Sequence, residues 1–161
     1  MPATPLAPAL RYFPVGVRKY NWLAAVASKN APTRAEINAG TDLTAEIAAV
    51  NGFEITAPAI DVTAFGDVFA VQVTGLPAAS DPCEIIFYAS STSADVRTVL
   101  PAGTAGFLLF LPEGDVPGQR CEVWPVTVRS MFIDEAATGA AGQIHVQFVT
   151  TSAPAQNVTV P

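Results

Sequence analysis

The sequence predicts a mainly β protein, a β-sandwich or barrel of about eight short strands with one flanking α-helix. Apolar and β-branched residues are grouped in short runs, which suit strands better than long helices. Fourteen prolines and eleven glycines separate these runs and interrupt helical periodicity along the chain.

The first elements follow a proline-rich start. Residues 1–14 contain four prolines and are expected to form an arm outside the fold. Residues 18–26 are rich in aromatic and branched side chains, which predicts a partly buried strand. The segment Thr33-Arg-Ala-Glu36 matches a capping box, so one or two helical turns are expected before Gly40.

The remaining elements are predicted in the same way. The dipeptide Asn51-Gly52 favours a tight hairpin between two strands. A capping residue at Ser93 and apolar residues at helical spacing predict the one real helix over residues 93–100. The other predicted strands are residues 43–49, 53–57, 60–63, 68–74, 84–88, 107–111, 121–129 and 143–150.

The chain, of 161 residues, is most simply organised as one domain. Residues 1–14 are the N-terminal arm, residues 15–150 the β domain, and residues 151–161 a flexible C-terminal tail with two prolines. No apolar run reaches the ~18 residues that span a bilayer, and the start lacks a secretory signal pattern. The expected location is therefore a cytoplasm.

Charge is distributed very unevenly along the sequence. Residues 1–34 carry five bases and no acid, namely Arg11, Arg18, Lys19, Lys29 and Arg34. Residues 35–161 carry fourteen acids and three arginines, so +5 and −11 give the net charge of −6. Only 14% of residues are charged, which is low for a monomer and favours an apolar surface covered by other subunits.

The sequence offers no catalytic, cofactor-binding or metal-binding set. His145 is the only histidine and shares the polar face of an alternating strand with Gln143 and Gln147, so no triad or metal triplet is expected. The acid pairs Glu113/Asp115 and Asp134/Glu135 lie in turn-like segments where solvated acids are common. An enzyme is not predicted, and no cofactor is expected.

The cysteines and tryptophans are best interpreted as core residues. Cys83 and Cys121 lie in strand-like runs and are expected to be buried free thiols, with a disulfide as the alternative. Trp22 and Trp124 are expected in the core, although either could serve as a flat ligand platform.

Three segments carry a resemblance to a known family: residues 32–44 (PTRAEINAGTDLT), residues 95–107 (DVRTVLPAGTAGF) and residues 121–128 (CEVWPVTV). They resemble, in this order, the motif near the start, the helix with its following strand, and the penultimate strand of the major tail tube proteins of long-tailed, siphovirus-type phages of actinobacteria. The three segments occur in the family's order and spacing, and the resemblance covers most of residues 20–149.

The resemblance implies the phage tail tube fold, with strands that pair between subunits. It further implies a structural virion protein that self-assembles into stacked hexameric rings, forming the tube through which DNA leaves the virion. The expected partners are further copies of the chain and other tail proteins (tape measure, tail terminator and distal tail), with assembly in the host cytoplasm. DNA would pass without specific binding, and no membrane is involved.

Two interface hypotheses follow from the charge pattern. The five bases of the first 34 residues are expected to dock on acidic surface of an adjacent subunit. Some acids in or beside strands are expected to face the channel, where they would repel DNA phosphates; the candidates are Glu46, Glu54, Asp61, Glu84 and Glu122. The alternative function is a monomeric β-sandwich module that binds carbohydrate or protein, and another virion part is a related possibility.

Overall fold

The fold is mainly β, as predicted from the sequence. The computed structural model describes residues 15–91, 95–134 and 141–161. Within these, a 3₁₀ turn spans Thr44–Glu46. The other elements are β1 (Lys19–Leu23), α1 (Arg34–Ala39), β2 (Thr41–Asp42), β3 (Ile47–Asn51), β4 (Ile55–Thr56), β5 (Ala59–Asp61), β6 (Gln72–Thr74), β7 (Ala78–Ala79), β8 (Cys83–Tyr88), α2 (Val96–Val99), β9 (Ala105–Leu111), β10 (Arg120–Asp134), β11 (Gln143–Thr150) and β12 (Ala155–Thr159).

One antiparallel sheet of eight strands dominates the structure. Its order is β2-β1-β9-β10-β11-β8-β3, and β12 also pairs with β10. The two edge strands are close in sequence, since Asp42 ends β2 and Ile47 begins β3. A flat sheet of this order would separate its edges by about 29 Å at ~4.8 Å per strand. Five residues span at most about 18 Å, so the sheet must curl into a partly closed barrel.

Two apolar cores lie on opposite faces of this curled sheet. The inner core lies on the concave face and includes Trp124, which is fully buried beside Phe148 and Phe87. The outer core lies under α1 and β12 and includes Leu23, Ile37 and Val158. Because β9 and residues 123–126 of β10 contribute to both cores, they are continuous apolar runs and do not alternate.

The predicted capping box of α1 is confirmed. The Thr33 hydroxyl accepts a hydrogen bond from the Glu36 amide at 3.3 Å, and the Glu36 carboxylate accepts one from the Thr33 amide at 2.6 Å. The second helix is shorter than predicted. It spans only Val96–Val99 and is capped by Asp95, while residues 92–94 lie outside the described residues.

The hairpin predicted at Asn51-Gly52 is wrong. Gly52 has φ of 75°, as a tight turn would require, but β3 pairs with β8 and not with β4. A Cβ at Gly52 would lie 2.2 Å from the Pro82 carbonyl oxygen. Glycine is needed here because the chain leaves the sheet beside another backbone segment.

The C-terminal segment also differs from the sequence expectation of a flexible tail. Ala155–Thr159 forms β12 along β10, and Ala155, Val158 and Val160 are buried in or beside the outer core. Asn157 has φ of 56°, which interrupts the alternation by which a strand is recognised in sequence. The N-terminal arm of residues 1–14 lies outside the described residues.

Candidate assembly surfaces

One face of the sheet is covered by neither apolar core. Four strands contribute to it: β3, β8, β11 and the second half of β10. Pairing aligns Asn51, Glu84, Gln147 and Ser130 in one row across these strands. The surface, here termed the open face, consists of Ala49, Asn51, Glu84, Ile86, Tyr88, Ser130, Phe132, Asp134, Gln143, His145 and Gln147. It contains two acids and no lysine or arginine.

A polar and aromatic cluster occupies the middle of the open face. The Nδ1 atom of His145 lies 3.1 Å from a carboxylate oxygen of Glu84, and both side chains are 16% exposed. The imidazole stacks on the Phe132 ring, with centroids 4.6 Å apart and planes at 11°. The predicted polar-face position of His145 beside Gln143 and Gln147 is thereby confirmed. This cluster fixes side chains on the open face, and no element of the described residues covers it.

The four strands of the open face leave two backbone edges without a paired strand among the described residues. One is the outer edge of β3, whose five residues carry no charge. The other is the second half of β10, because its hydrogen bonds toward the β9 side end where the Val128 amide donates to the Thr104 carbonyl. A groove of about 520 Å³ runs along β3 and is lined in part by Arg18, Tyr20 and Phe53.

A long hairpin projects from this sheet between β3 and β8. Its four strands pair as β4 with β7 and β5 with β6, and a break with Pro58, Gly75 and Pro77 separates the two pairs. Residues 55–79 are here termed the arm. Residues 54–74 are all exposed, including many large apolar side chains. Those are Ile55, Ile60, Val62, Phe65, Val68, Phe69, Val71 and Val73.

The arm also differs from the sequence prediction. The predicted strands 53–57, 60–63 and 68–74 are shorter in the structure and lie outside the sheet. Valine and phenylalanine favour strands whether or not a core covers them. The only useful signal was the low charge of this segment, which has just two charged residues, Asp61 and Asp67, between Ile55 and Ser80.

Three of the five bases proposed for a subunit interface bind within their own chain. Lys19 lies 3.4 Å from Asp42. The Lys29 ammonium donates to the Ala153 carbonyl at 2.6 Å, and Arg34 binds Asp115 and the Pro161 carbonyl. Lys29 and Arg34 therefore anchor the C-terminal segment.

The other two bases differ in position. Arg18 is exposed at the groove along β3, and no ion pair of Arg18 occurs among the described residues. Arg11 lies outside the residues that the structure describes.

The five candidate channel acids do not share one surface. Glu84 alone lies on the open face. Glu46 is exposed in the 3₁₀ turn, while Glu54 accepts a hydrogen bond from Ser80 at 3.0 Å near the base of the arm.

The last two candidate acids have local partners. Asp61 lies on the arm, where hydrogen bonds from the Thr63 side chain and amide lower its pKa. Glu122 accepts a hydrogen bond from the Trp124 indole at 3.0 Å and lines a small pocket with Arg18 and Lys19. Asp61 and Glu122 therefore accept hydrogen bonds from residues of their own chain.

Buried side chains exclude other kinds of site. Trp22 and Trp124 are 5% and 0% exposed, so neither can serve as a binding platform. Cys83 and Cys121 are buried free thiols, as predicted, and burial raises the pKa of Cys121 to about 11. In the described segments, no cluster of three potential ligands could hold a metal ion, and no helix is long and apolar enough to cross a membrane.

The family follows from comparison with known proteins. Residues 8–161 match the model of a family described as phage tail tube protein. This chain belongs to the phage tail tube protein family. The tail tube family is structural and non-enzymatic, and its members are components of the virion tail. The match to the family model extends through the C-terminal strand, beyond the residues that the sequence resemblance covers.

Solved structures show the same fold for this tail tube protein. A chain in the virion of a native gene transfer agent particle is 11% identical, with a TM-score of 0.51, over 74% of this chain and 89% of that one. A chain in the six-fold symmetrised baseplate of the anti-feeding prophage is 11% identical, with a TM-score of 0.55, over 91% and 94%. No curated protein matches the sequence.

Proposed function

We propose that this tail tube protein assembles into stacked hexameric rings by joining its two free strand edges head to tail. Among the described residues, the outer edge of β3 and the second half of β10 have no paired strand, and these two edges support the proposal. The outer edge of β3 in one copy would pair with Ser130–Asp134 of β10 in the next. Repetition around a ring closes both of these edges in every copy, which removes the hazard that unpaired edges present to a monomer.

The groove along β3 supports this pairing. It provides about 520 Å³ beside an uncharged strand, and Arg18 lies on its wall. We propose that Arg18 meets Asp134 of the incoming strand. Arg18, with Arg11, is the part of the basic segment that we propose to contact a neighbour. Lys19, Lys29 and Arg34 already have partners in their own chain.

We also propose that the open face lines the channel of the tube. A ring closed through β3 and β10 makes a continuous sheet, and neither apolar core of the described residues covers its open face. A wall that presents Glu84, Asp134 and glutamines but no lysine or arginine would not hold DNA phosphates by counterion release. DNA of a long-tailed phage could then move through the tube without binding.

Only one of the five candidate acids would face the channel in this arrangement. That acid is Glu84, which lies on the open face. Glu46, Glu54, Asp61 and Glu122 lie on other surfaces, where we propose contacts with neighbouring copies or further tail proteins, including the tape measure, terminator and distal tail components.

Electron microscopy of the purified protein tests the proposal. The wild-type protein is expected to form tubes or six-fold rings. Ala48→Lys places a charge in the groove along β3 and should abolish them, while Ala102→Lys, at an exposed turn after α2, should not. A wild-type protein that remains a 17 kDa monomer at high concentration, or A48K tubes like those of the wild type, would contradict the proposal.

A further inference from the structure

The end of β3 carries the one Asn-Gly dipeptide of the sequence. Of the five asparagines, only Asn51 precedes a glycine, while the others precede tryptophan, alanine or valine. The side-chain amide of an asparagine can be attacked by the main-chain nitrogen of the following residue, and a glycine there has no Cβ to hinder the approach. Asparagine is for this reason a thermolabile residue. Asn51 is therefore the most reactive asparagine that the sequence contains.

The main-chain nitrogen of Gly52 is available for this attack. The Gly52 carbonyl accepts hydrogen bonds from the Glu54 amide at 2.9 Å and from the Cys83 thiol at 3.1 Å. The Gly52 amide, in contrast, donates to no residue of the described segments. Gly52 also lines the groove along β3, so this amide lies at the surface of a free subunit. No hydrogen bond within the described chain has to break before the nitrogen can react.

The main chain at Asn51 is held on one side only. Asn51 is exposed and is the last residue of β3, where it pairs with Glu84 of β8. No described strand lies along the other edge of β3. The attack requires rotation about the main chain of Asn51, and strand ends open locally at a small fraction of the global unfolding free energy. Fraying of one residue is therefore sufficient.

We infer that Asn51 deamidates spontaneously in unassembled copies, and that pairing of β3 within the ring protects it. The Gly52 nitrogen loses its proton and bonds to Cγ of Asn51, while the side-chain nitrogen leaves as ammonia. The product is a succinimide ring. Water opens this ring at either carbonyl and gives aspartate or isoaspartate, with no oxidant or reductant involved. Only the protection in the ring rests on the proposed assembly.

Both products alter the edge that is proposed to join two subunits. Aspartate at position 51 places a carboxylate directly opposite Glu84, and like charges opposite each other destabilise a sheet. Isoaspartate adds one methylene to the main chain at the end of β3, which changes the spacing of the hydrogen-bonding groups that a neighbouring strand must match. A copy that remains free for too long therefore loses its ability to join a ring.

Mass spectrometry of free and assembled copies tests the inference. Free copies are dilute wild-type protein and the Ala48→Lys variant, which is expected to stay unassembled. Cleavage after glutamate releases residues 47–54, in which the change from amide to acid is measured and isoaspartate is separated from aspartate. Conversion at position 51 should proceed in free copies and be several-fold slower in tubes. Asn38, which precedes alanine, is the internal control.

Two variants test the effect on assembly. Asn51→Asp carries the charge of one product and should require a higher protein concentration to form tubes. Asn51→Gln is the matched control, because it keeps the amide but would have to close a larger ring. N51Q should assemble as the wild type does and should show no conversion at position 51. Equal assembly of N51D and N51Q would overturn the proposed effect of deamidation on the ring edge.

The outcomes separate this inference from the tube proposal. Conversion at position 51 that is fast in free copies and slow in tubes supports it. A rate in free copies no higher than that of Asn38 overturns the site, and an equal rate in tubes and free copies overturns the protection, while the tubes themselves leave ring assembly standing. A wild-type protein that forms no tubes contradicts ring assembly, and the rate in free copies then still decides whether Asn51 is a deamidation site.

Discussion

Arg34 at the start of α1 binds Asp115, although the two residues are 81 positions apart in the sequence. The same guanidinium donates to the carbonyl of the last residue, Pro161, at 2.6 Å. This contact ties the first helix, the loop after β9 and the C-terminal strand together over the outer core. A base that the charge pattern suggested as an interface residue thus has a structural role in its own subunit.

Arg34→Ala is therefore expected to loosen the C-terminal segment. Both partners are about one-third exposed, so we expect a loss of about 1 kcal/mol in the free energy of unfolding. Hydrogen exchange should increase mainly in β12. Urea unfolding and exchange measurements check this, with Arg18→Ala as the matched control. Equal exchange of β12 in R34A and the wild type would contradict the anchoring role.

Gly106→Ala is expected to disrupt the packing between β9 and β1. A Cβ at position 106 would lie 2.4 Å from the Trp22 ring and 2.8 Å from the Leu23 carbonyl oxygen. Overpacking of this kind costs about 1–3 kcal/mol. Gly66→Ala is the control, because a Cβ there meets nothing within 4 Å. Thermal unfolding should show a lower Tm for G106A alone, and equal Tm values for the two variants would refute the clash.

Asp95→Asn isolates a charge effect at α2, because asparagine also caps helices well. The Arg97 guanidinium and backbone amides lower the pKa of Asp95 below its usual 3.8. A lowered pKa contributes stability that is complete above the unfolded value and is lost as the pH falls through the folded value. D95N should therefore be about 1–2 kcal/mol less stable than the wild type at pH 7, with the difference shrinking below pH 4. Chemical unfolding at several pH values checks this, and a pH-independent difference would contradict it.

Arg18→Gln is expected to weaken tube formation without affecting the fold. Arg18 lies at the groove along β3, where the neighbouring edge is proposed to pair. The protein concentration required for assembly should rise in R18Q because the attraction between Arg18 and the neighbouring copy is lost. The difference from the wild type should be clearest at low salt, because high salt screens this attraction in the wild type too. Arg120→Gln is the control at an exposed arginine that bonds to β12. Light scattering over a salt series measures the effect, and identical curves for R18Q and the wild type would exclude a role for Arg18.

Gln147→Lys places a base on the open face. If this face lines the channel, Q147K tubes should retain DNA in a salt-dependent manner, while wild-type tubes should not. Gln119→Lys adds the same charge at an exposed loop outside the open face. A DNA co-sedimentation assay compares them. Equal retention by the two variants would mean that position 147 does not face the channel.

Elements that depend on residues close together in the sequence were predicted correctly. The capping box at Thr33 and Glu36 and the alternation around His145 both appear in the structure as predicted. β12 could not be predicted, because the left-handed Asn157 breaks its alternation. The curl of the sheet depends on pairing between strands distant in sequence, and residues 44–46 gave no sign that they join its two edges.

The partners of the charged residues were harder to predict than the fold. The charge pattern showed that bases and acids are unevenly distributed, but it did not show which group each base contacts. The Lys29 ammonium, for example, donates a hydrogen bond to the Ala153 carbonyl, 124 positions away in the C-terminal segment. The arm consists of residues with high strand propensity that have no core to cover them. The strand propensity of a residue type does not indicate whether the strand is buried by its own chain or by another copy.

A cryo-EM reconstruction of tubes assembled from the purified protein would show which strands pair between subunits and which surface faces the channel. We expect six-fold rings in which β3 of each subunit pairs with Ser130–Asp134 of its neighbour, with Glu84 and His145 on the channel wall. A tube whose channel is lined by another surface, or whose β3 edge remains unpaired, would contradict this expectation.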